Sequence, residues 1–185
     1  MDKELQDKKD SLDIDIEEGY FVKKPIATSE ELEFILPHLI PKTVIKTTEQ
    51  FLREAGDRNC EGVVLWVGER PTSCFRITRC IVPLHSSGRN YFDVSLKERI
   101  RIVTSLAANE CIIAQVHSHP EEAFHSPVDD RKAVIDRRWA LSIVVPDFCD
   151  RDLGDMRGTA VFALRDSLDW IQLSEEQIKQ VLIIG

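Results

Sequence analysis

A mixed α/β fold, a central mixed β-sheet flanked by helices, is predicted by three features of the sequence. Apolar runs of strand length such as GVVLWVG and CIIAQVHSH alternate with stretches of helical periodicity. Some of these runs are separated only by a short turn, and Ser/Thr-x-x-Glu/Gln capping boxes mark where the helices begin. Strands linked partly by helices and partly by turns describe an α+β sandwich built on a mixed sheet.

The elements follow in order. Residues 1–18 carry eight acids against three lysines, a net −5 of the chain's −8, and read as a disordered acidic tail. Residues 19–41 read as an N-terminal extension and 42–185 as the main domain. In the extension YFVKKPI suits a short strand, and Thr28 with Glu31 caps a helix that stops before Pro37. In TTEQFLREAGDRNC, Thr47 and Gln50 form a second box, which places a helix over 48–57 with Phe51, Leu52 and Ala55 as its apolar stripe. GVVLWVG and CFRITRCIVPL are strands joined through ERPTS. SLKERIRIVTSLAANE is the clearest helix: Ser95 and Glu98 cap it, and Leu96, Ile100, Val103 and Ala107 repeat at helical spacing. A strand at CIIAQVHSH, a short helix at PVDDRKAVIDRR, strands at WALSIVVP, GTAVFALRD and LDWIQL, and a helix opened by Ser174 with Gln177 complete the chain.

Composition narrows the function. Outside the tail the net charge is only −3, too little for a steering field, and no nucleic-acid partner is expected. There is no long apolar run and no basic, apolar amino terminus, so the expectation is a cytoplasmic protein with no membrane span. The cysteines, Cys60, Cys74, Cys80, Cys111 and Cys149, are odd in number and form no C-x-x-C pair, which suits free thiols in a reducing compartment.

The chemistry concentrates in HSHPEEAFHSPVDD, residues 117–130. On a strand, His117 and His119 point to the same face and can converge on one metal ion, while Ser118 points away. By itself an H-x-H pair is more often a pair of half-exposed surface residues. Pro120 ends the strand, and Pro127 favours a helix starting directly behind Ser126, which puts Ser126 at the N-cap and Asp129 at the third helical position. Ser-x-x-Asp is first of all a helix cap, worth about 1 kcal/mol. A carboxylate in the first turn also sits at the positive end of the helix dipole, which keeps it ionised and fit to ligate. Two imidazoles and one carboxylate leave tetrahedral zinc one open position, the arrangement of catalytic rather than structural zinc. Such a site needs a group to accept a proton from water, and Glu61, standing directly before GVVLWVG, is the candidate. Spacing alone leaves open that Glu61 simply ends a loop.

Glu61 with Gly68 in EGVVLWVG, then HSHP, then SPVD, together resemble the JAMM signature of the MPN-plus metalloproteases, over about residues 42–173. The resemblance implies the MPN, cytidine-deaminase-like fold. It implies that His117, His119 and Asp129 bind one Zn2+, that Glu61 is general base and then acid, and that Ser126 stabilises the oxyanion. It also implies cleavage of peptide or isopeptide bonds at the carboxyl end of a ubiquitin-like protein and its conjugates. The compact form is most similar to bacterial members that accompany E1-like and E2-like enzymes in anti-phage operons. Two departures stand out. The spacer PEEAFH has six residues where seven are common, so Asp130 keeps the usual distance from the histidines and Asp129 the usual distance from the serine. Helix geometry fixes the serine-to-aspartate relation while a loop absorbs a deletion, which favours Asp129. Val64 stands where many members carry glycine.

Among the remaining residues, His125 reads as a solvent-exposed loop histidine, His85 as a loop histidine with no evident partner, and Phe124 as a substrate contact. Residues 147–158, DFCDRDLGDMRG, suit a flap over the cleft. The competing functions are a non-catalytic scaffold on the same fold, a peptidase processing a sulfur-carrier precursor, and a non-haem iron oxygenase, since two histidines and a carboxylate also describe its facial triad.

Overall fold

The computed structural model describes residues 23–69, 73–135, 137–165 and 169–185. The expected acidic tail, the start of YFVKKPI and most of the ERPTS connection lie outside them. In chain order the elements are α1 (Ser29–Leu32), β1 (His38–Ile40), α2 (Lys42–Gly56), β2 (Val63–Glu69), β3 (Phe75–Ile81), β4 (Ser86–Gly88), β5 (Tyr91–Asp93), α3 (Leu96–Ser105), β6 (Glu110–Ser118), α4 (Pro127–Lys132), β7 (Leu141–Val145), β8 (Ala160–Leu164), β9 (Trp170–Gln172), α5 (Glu175–Val181) and β10 (Leu182–Ile184).

Eight of the described strands form one sheet in the order β10-β1-β3-β2-β6-β7-β8-β9, and β4 and β5 form a separate hairpin. The pairs β10–β1, β1–β3 and β6–β7 are parallel and the rest antiparallel, so the sheet is mixed and flanked by helices, as the alternation of elements predicts. Period-two alternation divides its two faces. Val64, Trp66 and Val116 pack in the main core with Val44, Ile45 and Leu52 of α2, while Val63 and Leu65 pack on the other face with Phe92, Val94 and Ile102. Val64 is fully buried in that main core, so the larger side chain is absorbed by packing.

Gly68 is a position where only glycine fits. The register of β2 against β3 shifts between Val67 and Gly68, and a Cβ added at Gly68 stands 2.0 Å from the Arg76 carbonyl oxygen and 2.6 Å from Ile113. Gly68→Ala is therefore expected to destabilise the protein by about 1–3 kcal/mol, the usual cost of overpacking, in a denaturant melt. An unchanged midpoint contradicts this.

The structure corrects one helix reading and fixes the rotation of a second helix. The helix read over 48–57 begins at Lys42, directly behind Pro41, and Thr47 turns its hydroxyl onto the Thr43 carbonyl inside the helix instead of capping it. Pro41 already supplies a start, since its fixed φ suits a helix entry and no N–H is lost. In α3 the cap at Ser95 holds, but Leu96, Ile100 and Val103 face outward at 72%, 55% and 59% exposure. The helix is attached through its other face. Ile102 is buried, Glu98 accepts from Leu84 N–H, and Arg99 donates to the carbonyls of Val94, Lys132 and Ala133. Hydrogen bonds and one isoleucine set the rotation of α3, which periodicity alone does not fix.

Candidate metal centre

The site is built at the end of β6. His117 is paired with Val63 of β2, and His119 continues the extended path, donating its N–H to the Val145 carbonyl at 2.8 Å. The strand's alternation puts both imidazoles on the face that carries Phe92, whose ring stands 5.0 Å from that of His117. Ser118 points the other way, and its hydroxyl accepts Gly62 N–H at 3.0 Å while Glu61 N–H donates to the Gly88 carbonyl. These two bonds hold the Glu61 backbone between β6 and the β4–β5 hairpin. The serine between the two histidines thus positions the glutamate, a role with no sequence signal beyond its place in H-S-H.

Across from the histidines, α4 starts where Pro127 predicts. Ser126 Oγ accepts Asp129 N–H at 3.1 Å and Asp129 Oδ2 accepts Ser126 N–H at 2.7 Å, a complete capping box. The structure brings together His117, His119 and Asp129, all buried, with their ligand atoms within 4.8 Å of one another. Glu61 Oε1 stands 3.9 Å from His119 Nε2 and is 3% exposed. Asp130 is not in this group. One residue further round the helix, it accepts from His125 Nδ1 at 2.8 Å and from Lys24 Nζ at 2.5 Å.

The donor set fits a metal ion. Asp129 Oδ1 lies 3.5 Å from His117 Nε2 and Oδ2 lies 3.6 Å from His119 Nε2, too far for good hydrogen bonds. Ligands on a tetrahedral zinc ion stand roughly 3.3 Å apart, close to these gaps. Neither ring nitrogen of buried His117 has a hydrogen-bond partner among the described residues, and a ligand would remove that penalty. The protonation states agree. Burial pushes His117 down, toward the neutral ring that ligates, against the pull of Asp129. Burial alone would raise Asp129, but the facing His117 and His119 rings hold it well below the usual carboxylate range. Burial, and then the charge of Asp129, push Glu61 up to about 9. A divalent cation held by His117, His119 and Asp129 would reverse that charge balance and lower the proton affinity of Glu61.

Three further expectations meet the structure here. His125 is not exposed: it is 2% accessible, packed between Phe162 and Trp170, with Nε2 3.0 Å from Ser142 Oγ. The two aromatic rings and the buried serine enclose it, and none of them is near it in sequence. Phe124 packs edge-on against His119 with ring centres 4.8 Å apart. Residues 147–158 do not form a free flap. Cys149, Leu153 and Met156 are buried, Arg53 donates to the carbonyls of Cys149 and Arg151, Glu49 accepts Leu153 N–H, and Phe148 N–H donates to the His119 carbonyl. The apolar residues hidden among the aspartates pin this loop to α2.

Fold and site together define a mixed α/β protein with a buried His-His-carboxylate group suited to a metal ion and a protonatable glutamate beside it. No protein-family model matches the chain. Among curated proteins, the probable metalloprotease y4jG of Sinorhizobium fredii is 29% identical over 158 residues, which cover 83% of this chain and 97% of that protein. This similarity supports a metalloprotease relationship, and the His-His-Asp group fits it. Among solved structures, the solution structure of protein DSY2949 from Desulfitobacterium hafniense matches with a TM-score of 0.56 at 17% identity, over 80% of this chain and 92% of that one, a likeness of fold alone. No helix among the described residues is long and apolar enough to cross a membrane.

Proposed function

We propose that the protein is a zinc-dependent peptidase or isopeptidase that releases a ubiquitin-like modifier from target proteins or trims its precursor. We place it in a bacterial anti-phage conjugation system alongside E1-like and E2-like enzymes. The observation that carries the hydrolase reading is the convergence of Glu61 with His117, His119 and Asp129 in one buried cluster. When bound, the metal supplies Lewis acidity and makes water acidic enough to attack at neutral pH. The chain's own residues do the rest. Glu61, nearly enclosed and 3.9 Å from His119, accepts the proton of the attacking water and hands it to the departing amine. Ser126 Oγ, held by Asp129 N–H, keeps its own proton to donate to the oxygen that gains charge. A scaffold has no use for a buried carboxylate poised beside two ligating imidazoles.

The outward stripe Leu96, Ile100 and Val103 on α3, with Leu84 at 74% exposure, supports a folded protein as substrate. Ile102, beneath the stripe, shares a core cluster with Phe92, whose ring packs at a tilt against that of His117. A docked modifier therefore lies over the same side of the sheet as the metal group. The test is cleavage of ubiquitin-like fusions by zinc-loaded protein. The reaction is expected to stop with a chelator and resume with zinc, and Ile100→Asp is expected to raise KM roughly tenfold with kcat unchanged. Absence of cleavage for every such fusion, with stoichiometric zinc bound, overturns the substrate assignment.

A further inference from the structure

A polar chain, buried over Gln115, Ser142 and His125, links the N-terminal extension to α4, the helix that carries Asp129. Gln115 and His117 share a face of β6, and Gln115 pairs in register with Ser142 of β7. Gln115 Nε2 donates to Ser142 Oγ at 3.2 Å, Ser142 Oγ lies 3.0 Å from His125 Nε2, and His125 Nδ1 lies 2.8 Å from Asp130 Oδ1. With the amide donating at one end and the carboxylate accepting at the other, Ser142 donates to His125 and His125 donates to Asp130. Lys24 Nζ closes the chain on Asp130 Oδ2, with only 14% of its side chain exposed. The extension is held in turn by Ile26, bridged to Gln172, and by the Ala27–Gln172 hydrogen bond.

What this chain holds is α4. That helix has six residues, too short to persist alone, and its first turn carries Ser126 and Asp129. Its exit is tied to the same network, because Val134 N–H donates to Gln115 Oε1 at 2.8 Å, and Arg99 binds the Lys132 and Ala133 carbonyls. Its entry is tied to the rest of the fold by the His125–Asp130–Lys24 link. We propose that Lys24 and His125 are positioning residues that, through Asp130, set the place of the Asp129 carboxylate, so that the N-terminal extension governs how tightly the site holds its metal. Displacing residues 23–27, by a partner or by a protease, would then release metal while the sheet stays folded.

This inference rests on the metal reading of His117, His119 and Asp129, and its test separates the two. Zinc affinity is measured by chelator competition, and the d–d spectrum is recorded with cobalt(II) in place of zinc, for the full chain and for Lys24→Met, His125→Gln and Lys24→Arg. Lys24→Met and His125→Gln are expected to weaken zinc roughly 10–100-fold, the usual effect of losing a group that orients a ligand. They are also expected to shift the cobalt spectrum, while the melting temperature of the metal-free protein is unchanged and Lys24→Arg retains most of the affinity. Wild-type protein that binds neither metal overturns the metal reading itself. Wild-type binding with variant affinities within twofold, or affinities that fall only in step with metal-free stability, overturns the brace. Should His125→Gln fail to fold, Lys24→Met decides, since its side chain belongs to a peripheral segment.

Discussion

Glu61→Gln is expected to abolish peptide-bond cleavage and to leave the metal content of the protein unchanged. Glutamine has nearly the shape of glutamate, so the enclosure of the side chain and its 3.9 Å approach to His119 are kept, while the capacity to take and return a proton is lost. General acid–base catalysis contributes about 10²–10⁴-fold, and the variant's single-turnover rate should fall by at least that factor with KM little altered. Metal analysis of the same sample is the control, because Glu61 lies outside the His117–His119–Asp129 group. Activity near the wild-type level removes Glu61 from the chemistry. The same variant has a pH signature in metal-free protein. The Glu61 carboxyl is raised from its ordinary 4.5 to about 9, so the native state binds more protons than the unfolded chain between those values. Its contribution is full below pH 4.5 and is lost as pH rises toward 9, and stability falls across that window. In Glu61→Gln this part of the slope is absent, which melts of metal-free protein at pH 5, 7 and 9, values of the same order as the window's limits, would show. An identical slope in both proteins contradicts the assignment of Glu61 as the buried proton carrier.

The parts of this site that were legible in the sequence are those set by local geometry. Two-residue alternation places His117 with His119, and the Ser126-Pro127 start of α4 places Asp129 three residues into the helix, both without knowledge of the fold. The strand–helix order likewise gives the mixed sheet. What escaped depends on which distant groups enclose a residue. His125 reads as exposed because its neighbours in sequence are polar, yet Phe162, Trp170 and Ser142 close around it from β8, β9 and β7. The exposure of the α3 stripe was not legible, because periodicity reports an amphipathic face but not which face the fold uses, and Arg99 and Glu98 tie the opposite side down. The loop 147–158 reads as a flap because its aspartates mask Leu153 and Met156. A polar Gln115 inside an apolar strand, two residues before His117, was the available hint of the network beneath the metal group.

The choice between Asp129 and Asp130 turns on the same distinction between spacing along the chain and place in the fold, and it carries the second large effect. Adjacent helical residues point about 100° apart, so one loop deletion cannot be accommodated by both aspartates sharing the task. Asp129 faces His117 and His119 at 3.5 and 3.6 Å, whereas Asp130 is spent on His125 and Lys24. Asp129→Ala is expected to strip the purified protein of stoichiometric metal and of all cleavage, with a loss of affinity well beyond the roughly 10–100-fold that removal of an outer partner costs. Asp130→Asn keeps an oxygen for His125 Nδ1 and loses only the charge facing Lys24, so it should bind one metal ion per chain with weakened affinity and cleave when metal is supplied in excess. Added zinc should raise the melting temperature of metal-free wild type and of Asp130→Asn but not that of Asp129→Ala, because only a site that binds the native state stabilises it. The reverse pattern, metal kept by Asp129→Ala and lost by Asp130→Asn, would mean that spacing from the histidines fixes the ligand and that the cap geometry of α4 does not.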